Sequence, residues 1–285
     1  MARIVVVGDA LIDAIRDEGG TREFVGGAAL NVAVGLARLG ADATLVAMVG
    51  DDDAGERIRA HLAEHGVELI ASPAPLGSAR AVSTRVGGEP HYEFNEASVR
   101  RHIAFGPEAL AAVEAAPVVA ISCVAFDSAE QSTELARALA GARLAIDPNP
   151  RAGMLLDRAA FVEGFEWLAS RAAFVKVGED DAALLQVGTV DDLADRLQAA
   201  GVPAVLATRG ADGATIVTDG SVADRPIVDL PGPIVDTMGA GDAMFATFVA
   251  ALAADPDPDW RATLDRALRI AAATIRSEGA LLQLP

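Results

Sequence analysis

Along the chain, short uninterrupted apolar runs alternate with longer stretches in which apolar residues return every three or four positions. The runs at 4–7, 44–49, 118–123, 144–146, 174–177, 204–207 and 215–218 are too short for helices. They are also too uniformly apolar to face water, so they predict strands buried on both sides. The periodic stretches at 29–39, 54–65, 129–140, 159–170 and 191–200 predict helices with one buried face, and two more close the chain at 240–254 and 260–276. Buried strands separated by helices imply an α/β fold with a mostly parallel sheet covered on both faces. No repeat and no Ser- or Gly-rich linker interrupts this rhythm, so residues 1–285 read as one domain.

Two segments depart from the pattern. Residues 13–25 and 80–95 look like strand–turn–strand pieces, with turns at Gly19-Gly20 and Gly87-Gly88. They carry too few apolar residues to enter the main sheet and predict a small β-lid standing on it.

Composition narrows the function classes. The 285 residues are 52% hydrophobic and 22% charged, which suits a folded core and not a disordered chain. Asp and Glu number 41 against 23 Lys and Arg, a formal charge of −18 that disfavours nucleic acid and anionic membranes as partners. An anionic ligand must therefore be held by a local site. The single cysteine, Cys123, excludes a disulfide framework and a Cys-rich zinc site. The N-terminal apolar run is too short for a secretion signal, and no stretch nears the ~18 apolar residues of a membrane span. A soluble cytoplasmic protein is expected.

Familiar nucleotide motifs fail. The single lysine, Lys176, follows Val175, which excludes a P-loop, and Gly8-Asp9-Ala10-Leu11 is not the dinucleotide fingerprint. His61-Leu62-Ala63-Glu64-His65 matches an inverted zinc-protease pattern. Yet Ile58, Leu62 and Val67 mark the buried side of that helix, while Arg57, His61 and His65 form a polar stripe and Gly66 ends it. The motif reads as a solvated face.

The strongest chemical signal is Asp236-Thr237-Met238-Gly239-Ala240-Gly241-Asp242, running into an apolar helix. Small residues at 239–241 let a phosphate approach the unpaired N–H groups of the helix start, where the helix dipole favours negative charge. Asp242 stands in that first turn. A carboxylate there either caps the helix or accepts a proton from a hydroxyl attacking phosphorus. In Gly26-Gly27-Ala28-Ala29-Leu30-Asn31, two glycines open a second helix, and the Asn31 amide can grip a polyol or cap locally.

Taken together, Gly26-Gly27-x-x-x-Asn31 and Asp236-Thr237-x-Gly239-Ala240-Gly241-Asp242 resemble the two signatures of the ribokinase/fructokinase (phosphofructokinase-B) family of carbohydrate kinases. Gly50-Asp51-Asp52-x-x-Gly55, Asp147-Pro148-Asn149-Pro150-Arg151, Thr208-Arg209-Gly210-x-x-Gly213 and Ser277-Glu278-Gly279-Ala280 extend the resemblance over nearly the whole chain. It implies a ribokinase-like three-layer α/β/α sandwich with a mostly parallel central sheet and a β-lid, and the activity of an ATP-dependent sugar kinase. By that resemblance Asp242 would be the catalytic base, with the amides of Ala240, Gly241 and Asp242, behind Gly239, stabilising the transferred phosphoryl group. Asp13, Gly26, Gly27 and Asn31 would hold the sugar, and Arg151 would act on the acceptor side. Thr208, Gly210 and Gly213 would flank the nucleotide, and Mg2+ would bridge its phosphates. Asp236 and Thr237 resemble a monovalent-cation loop, which implies activation by K+. The partners are then a small sugar and ATP, and the lid edges offer a route to a homodimer.

Two departures from the family pattern matter. Where the family has Asn or Ser and then Glu after the strand of Lys176, this chain has Gly178 and Asp181. A shorter acid must reach a water-bound Mg2+ unless Glu179 or Asp180 substitutes. The stretch Asp147 to Arg151 points to fructokinase-like or 2-keto-3-deoxygluconate-kinase-like members. The lid end Tyr92-Glu93-Phe94-Asn95-Glu96, however, has no arginine before Arg100 and Arg101. Glu93 and Glu96 favour a neutral ketose, fructose or a relative, over a sugar acid. Ribose and nucleosides are alternatives on the same fold, the latter disfavoured by 4% aromatic residues. A catalytically silent sugar-binding regulator is the alternative of a different class, and the intact loop at 239–242 argues against it.

Overall fold

The computed structural model describes residues 3–17, 20–86 and 89–285. The strands, in chain order, are β1 (Ile4–Gly8), β2 (Leu11–Asp17), β3 (Gly20–Gly26), β4 (Ala43–Met48), β5 (Glu68–Ser72), β6 (Ala79–Val86), β7 (Glu89–Phe94), β8 (Val119–Ser122), β9 (Leu144–Asp147), β10 (Ala172–Gly178), β11 (Ala204–Thr208), β12 (Ala214–Thr218) and β13 (Ser221–Arg225). The helices are α1 (Ala28–Arg38), α2 (Asp53–Glu64), α3 (Glu96–Val99), α4 (Pro107–Ala115), α5 (Ala129–Ala138), α6 (Arg158–Ala169), α7 (Glu179–Leu185), α8 (Val190–Ala199), α9 (Ala240–Ala254) and α10 (Trp260–Thr274).

Nine strands form the main sheet in the order β13-β12-β11-β10-β9-β8-β1-β4-β5. Every neighbouring pair from β11 across to β5 is parallel, and β12 and β13 turn back antiparallel at one edge. Strands β1, β4, β8 and β9 are buried at every position, the signature of a sheet covered on both faces. Helices α1, α2, α9 and α10 supply the apolar layer on one face, and α4 to α8 supply the other. Strand alternation sorts β10 between them. Phe174 stacks on Phe248 and Trp260, at centroid distances of 4.9 and 5.5 Å, whereas Val175 and Val177 join the opposite layer. Lys176 therefore leans to the α9 side.

The lid is the four-stranded sheet β3-β2-β6-β7, built from the two segments expected to leave the main sheet. Gly20 opens β3, while Gly19, Gly87 and Gly88 of the expected turns lie outside the described residues. Glu23 on β3 is bridged to Arg57 of α2 on the body and to Arg80 of β6 within the lid, while Ile12 at the foot of β2 is buried in the main core.

The apolar pattern does not predict β5, β13, α3, α4 or α7. Strands β5 and β13 lie at the sheet edges and expose alternate stretches, which breaks the apolar runs. Helix α4 is alanine-rich, with only Ala109 and Val113 buried, and α3 and α7 are short. Helices α5 and α10 stop at Ala138 and Thr274, short of their expected ends. On α2, Ile58 and Leu62 are buried as expected. The expected polar stripe needs correction: His61 is half-buried, its Nε2 has no partner, and its ring meets His65 edge-on at 4.7 Å. Burial and the neighbouring His65 push the His61 pKa down. No helix among the described residues is long and apolar enough to cross a membrane.

Candidate active site

Neighbours β1 and β8 carry the chain in opposite directions along the sheet, β1 leading on to β4 and β8 to β9. In such sheets a crevice opens beyond the carboxyl ends of the diverging strands. Asp9 follows β1, Cys123 follows β8, Asp147 ends β9, Gly178 ends β10 and Thr208 ends β11. Because β2 starts just after Ala10, the lid rises directly from this crevice and brings Asp13 with it.

The start of α9 forms one wall. Its N-cap is Gly239, at φ 79°, where a Cβ would lie 2.0 Å from the Ala280 carbonyl oxygen, so only glycine fits. The first intrahelical bond runs from Ala243 N–H to Gly239 O, which leaves the amides of Ala240, Gly241 and Asp242 without helical partners. Asp242 does not cap this helix. Its Oδ2 instead accepts a hydrogen bond from Asn31 Nδ2 at 2.8 Å, across from α1. Burial raises the Asp242 pKa, Asn31, Lys176 and Arg151 oppose the rise, and Asp9 adds to it. Asn31 is itself buried, and its Oδ1 has no partner.

Beneath α9 lies a charge pair. Lys176 Nζ donates to Asp147 Oδ2 at 2.9 Å, with Asp147 fully buried and its Oδ1 unpartnered. Burial works against the ammonium, but Asp147 and Asp181 outweigh it and hold the Lys176 pKa above the ordinary lysine value. A Cβ on Gly241 would sit 3.2 Å from Nζ. The absent side chain thus lets the ammonium come up under the first turn of α9.

The side of the cleft around Asp242 is acidic. Asp13 is pushed up to about 6 by burial and by the charges of Asp9 and Asp242, with Arg151 pulling the other way. Gly26 lies against it: a Cβ there would be 2.4 Å from Asp13 Oδ2. Gly27 is the N-cap of α1, which places Asn31 within its first turns. Arg151 faces several carboxylates together, lowering the pKa values of Asp9, Asp13, Asp147, Asp181 and Asp242. Asp13, Asn31, Arg151 and Asp242, singled out separately in the sequence, share this cleft. Sequence reasoning passed over Asp9, Lys176 and Arg101. Arg101 is buried and donates to the carbonyls of Cys123, Val124 and Met154, each at 3.2 Å, so it braces the floor. A lone lysine inside an otherwise apolar strand was the available signal for Lys176.

The residues expected on the nucleotide side divide into two groups. Thr208 and Gly210 stand at the carboxyl end of β11, and the Thr208 hydroxyl donates to Val177 O at 3.3 Å. Gly213 has a packing reason of its own, since a Cβ there would be 2.1 Å from the Arg225 carbonyl oxygen. Asp181 is buried and its Oδ2 accepts the Gly178 N–H at 2.7 Å, so it closes the start of α7. Burial, countered by Lys176, pushes its pKa up to about 6. Asp236 staples the loop before α9, accepting from Met238 N–H at 3.0 Å and Gly279 N–H at 3.3 Å, while Thr237 is exposed. Glu179 and Asp180 are also exposed.

Unpaired amides and a buried ammonium suit a phosphoryl group, and the facing carboxylates and amide suit hydroxyls. An alcohol phosphotransferase is the class such a cleft defines. The model of the pfkB family of carbohydrate kinases matches residues 1–285, and this chain belongs to that family of phosphotransferases acting on sugar hydroxyls. Among curated relatives, it is 32% identical to a fructokinase of Klebsiella pneumoniae, over 99% of this chain and 96% of the relative. Its fold is similar to that of a fructokinase with bound ATP from Xylella fastidiosa (TM-score 0.82, 23% identity, 98% of this chain and 94% of that one). It also resembles a double-mutant fructokinase from Vibrio cholerae O395 in a form with fructose, ADP and potassium (TM-score 0.80, 23% identity, 99% and 94% covered).

Proposed function

We propose that this chain transfers the γ-phosphoryl group of ATP to a hydroxyl of a neutral ketose, fructose or a close relative. The observation that carries this reading is the Asp242 carboxylate, bonded to Asn31 at the mouth of α9 and not spent on capping that helix. In this reading Asp242 accepts the proton of the attacking hydroxyl, help typically worth ~10²–10⁴ in rate. The amides of Ala240, Gly241 and Asp242 receive the phosphoryl oxygens, and Lys176 adds positive charge from below. Asp13 and Asn31, beside Gly26 and Gly27, hold sugar hydroxyls, with Arg151 above the acceptor. Thr208 and Gly210 face the nucleotide, Gly213 shaping their loop.

Charge supports a neutral sugar over a sugar acid. Three carboxylates, Asp9, Asp13 and Asp242, stand on the acceptor side against the single guanidinium of Arg151, while Arg101 is committed to carbonyls and Lys176 to Asp147. The 32% identical relative named a fructokinase points to the same substrate.

A dedicated metal cage does not fit these residues: no cluster of three or more metal-ligating side chains occurs among the described residues, and Asp181 is already bonded to Gly178. Mg2+ would then arrive on the nucleotide's phosphates, with Asp181, Glu179 or Asp180 meeting it through water. For K+, the carboxylate of Asp236 is engaged by two loop amides, and the support is the potassium in the Vibrio cholerae form. Dimerisation through the lid and a cytoplasmic location belong to the same proposal.

A coupled ADP-release assay across ketoses, sugar acids, ribose and nucleosides tests this reading. Turnover is expected with fructose or a related ketose, dependent on Mg2+, and Asp242→Asn should lower kcat by about 10³ or more while sugar still binds. Preferred turnover of a sugar acid or nucleoside would refute the substrate assignment. No turnover with any of them would leave a sugar-binding protein.

A further inference from the structure

Helix α1 starts without a cap of its own. Gly27 at its N-cap has no side chain to offer, and no acidic residue occupies its first turn. The missing acceptors come from Asp9, in the turn between β1 and β2. Its Oδ1 accepts from Ala29 N–H at 3.0 Å, and its main-chain carbonyl accepts from Leu30 N–H at 3.2 Å. The next residue along, Asn31, makes the first regular helical bond, to Gly27 O at 2.9 Å, and sends its side chain to Asp242.

Asp9 is in turn gripped from the far side of the crevice. The neighbouring Cys123 thiol and the charges of Arg101 and Arg151 favour its ionised form against the cost of burial. Cys123 holds φ 55°, a conformation few side-chain-bearing residues adopt, at the end of β8. One short residue thus joins the ends of β1 and β8 to the first turn of α1.

We propose that Asp9 is a positioning residue that caps α1 from outside the helix and thereby sets Asn31 against the Asp242 carboxylate. The proposal rests on the reading of Asp242 as the base. It assigns Asp9 no contact with the sugar. Two consecutive amides are anchored immediately before Asn31, so a loosened first turn would tilt the one side chain bonded to Asp242. Small misplacements of this kind are costly, since a shift of about 1 Å can lower a rate about a hundredfold. Asp9 has a second, electrostatic effect. Its charge faces Asp242 together with those of Asp13 on β2, Asp147 on β9, Arg151 beyond β9 and Lys176 on β10, and it raises the pKa values of Asp242 and Asp13.

The test uses the full chain with fructose and ATP. Asp9→Ala should lower kcat by about tenfold with the sugar KM changed less than about threefold, as expected when alignment and not contact is lost. Asp9→Asn keeps an oxygen for Ala29 N–H and should recover most of that loss. In an Asn31→Ala background, Asp9→Ala should have almost no further effect on kcat measured at each variant's own pH optimum. In Asp9→Asn, the acid limb of the kcat–pH profile should move to lower pH, because one negative neighbour of Asp242 is gone. That profile also decides the matter should Asp9→Ala fail to fold. A loss confined to KM, independent multiplying effects of the Asp9 and Asn31 changes, or an Asp9→Asn profile superimposable on the parent would each overturn the proposal. Full turnover in Asp242→Ala would instead overturn the base assignment, leaving the cap measurable as a lower Tm in Asp9→Ala.

Discussion

Two groups of buried carboxylates in the cleft differ in how their charge is offset. On the floor, Asp147 and Asp181 flank Lys176, whose ammonium opposes the cost of burial without cancelling it, so both carboxyls stay above the ordinary carboxylate value. On the acceptor wall, around the start of α9, Asp9, Asp13 and Asp242 act on one another as like charges. They are offset by Arg151, by Arg101 beside Asp9, by Lys176 and by the neutral amide of Asn31, with no ion pair to any of the three among the described residues. Paired charges hold a shape at little electrostatic cost to one another. Crowded like charges are unfavourable until a ligand with hydroxyl protons enters, so the wall reads as the place where chemistry happens and the floor as what keeps it in position.

Breaking the floor should have the largest effect. Lys176→Met strips Asp147 of its partner and leaves a buried, uncompensated charge, a change that typically costs ~3–5 kcal/mol. Chemical denaturation would register that loss, and kcat should fall by about 10² as the positive charge under α9 disappears. Adding Asp147→Leu should return most of the stability and none of the activity. A double variant that regained turnover would mean Lys176 is purely structural.

The wall should respond with the opposite sign. Asp13, with its pKa pushed to about 6, binds a proton more readily in the folded chain than its ordinary value of 3.8 allows in the unfolded one. The penalty of holding it ionised is therefore fully present at pH 7, begins to fall as pH drops through about 6 and is gone only below the unfolded value of 3.8. Asp181, also near 6, adds to the same trend. The unliganded protein should gain thermal stability from this pair between pH 7 and pH 5. Asp13→Asn should raise Tm at pH 7 by about 2–4 °C and flatten that dependence, while weakening sugar binding. A lower Tm in Asp13→Asn would show that the wall is not under electrostatic strain.

The same contrast explains what was legible in the sequence. The helix starts at 239–242 and 26–31 could be read from local spacing, small residues where a backbone must be approached and polar groups in first turns, and the roles expected of them came from the family resemblance. The buried parallel strands were legible because each is a nearly continuous apolar run. Edge strands β5 and β13, half exposed, were not. Nor was the role of Lys176, whose value depends on a glycine in a distant helix leaving room for it, or that of Asp9, whose carboxylate caps a helix twenty residues downstream. Asp181 shows the reverse case. Its place in the chain suggests a contact to water-bound Mg2+, and nothing in the sequence signals that its carboxylate also accepts the Gly178 N–H at the start of α7.

The most direct test of the account is a crystal structure of the chain with fructose and a non-hydrolysable ATP analogue. The account predicts the acceptor hydroxyl within about 3 Å of an Asp242 carboxylate oxygen and the terminal phosphate on the amides of Ala240, Gly241 and Asp242. A sugar whose reacting hydroxyl meets a different base, with Asp242 turned away from it, would contradict the account.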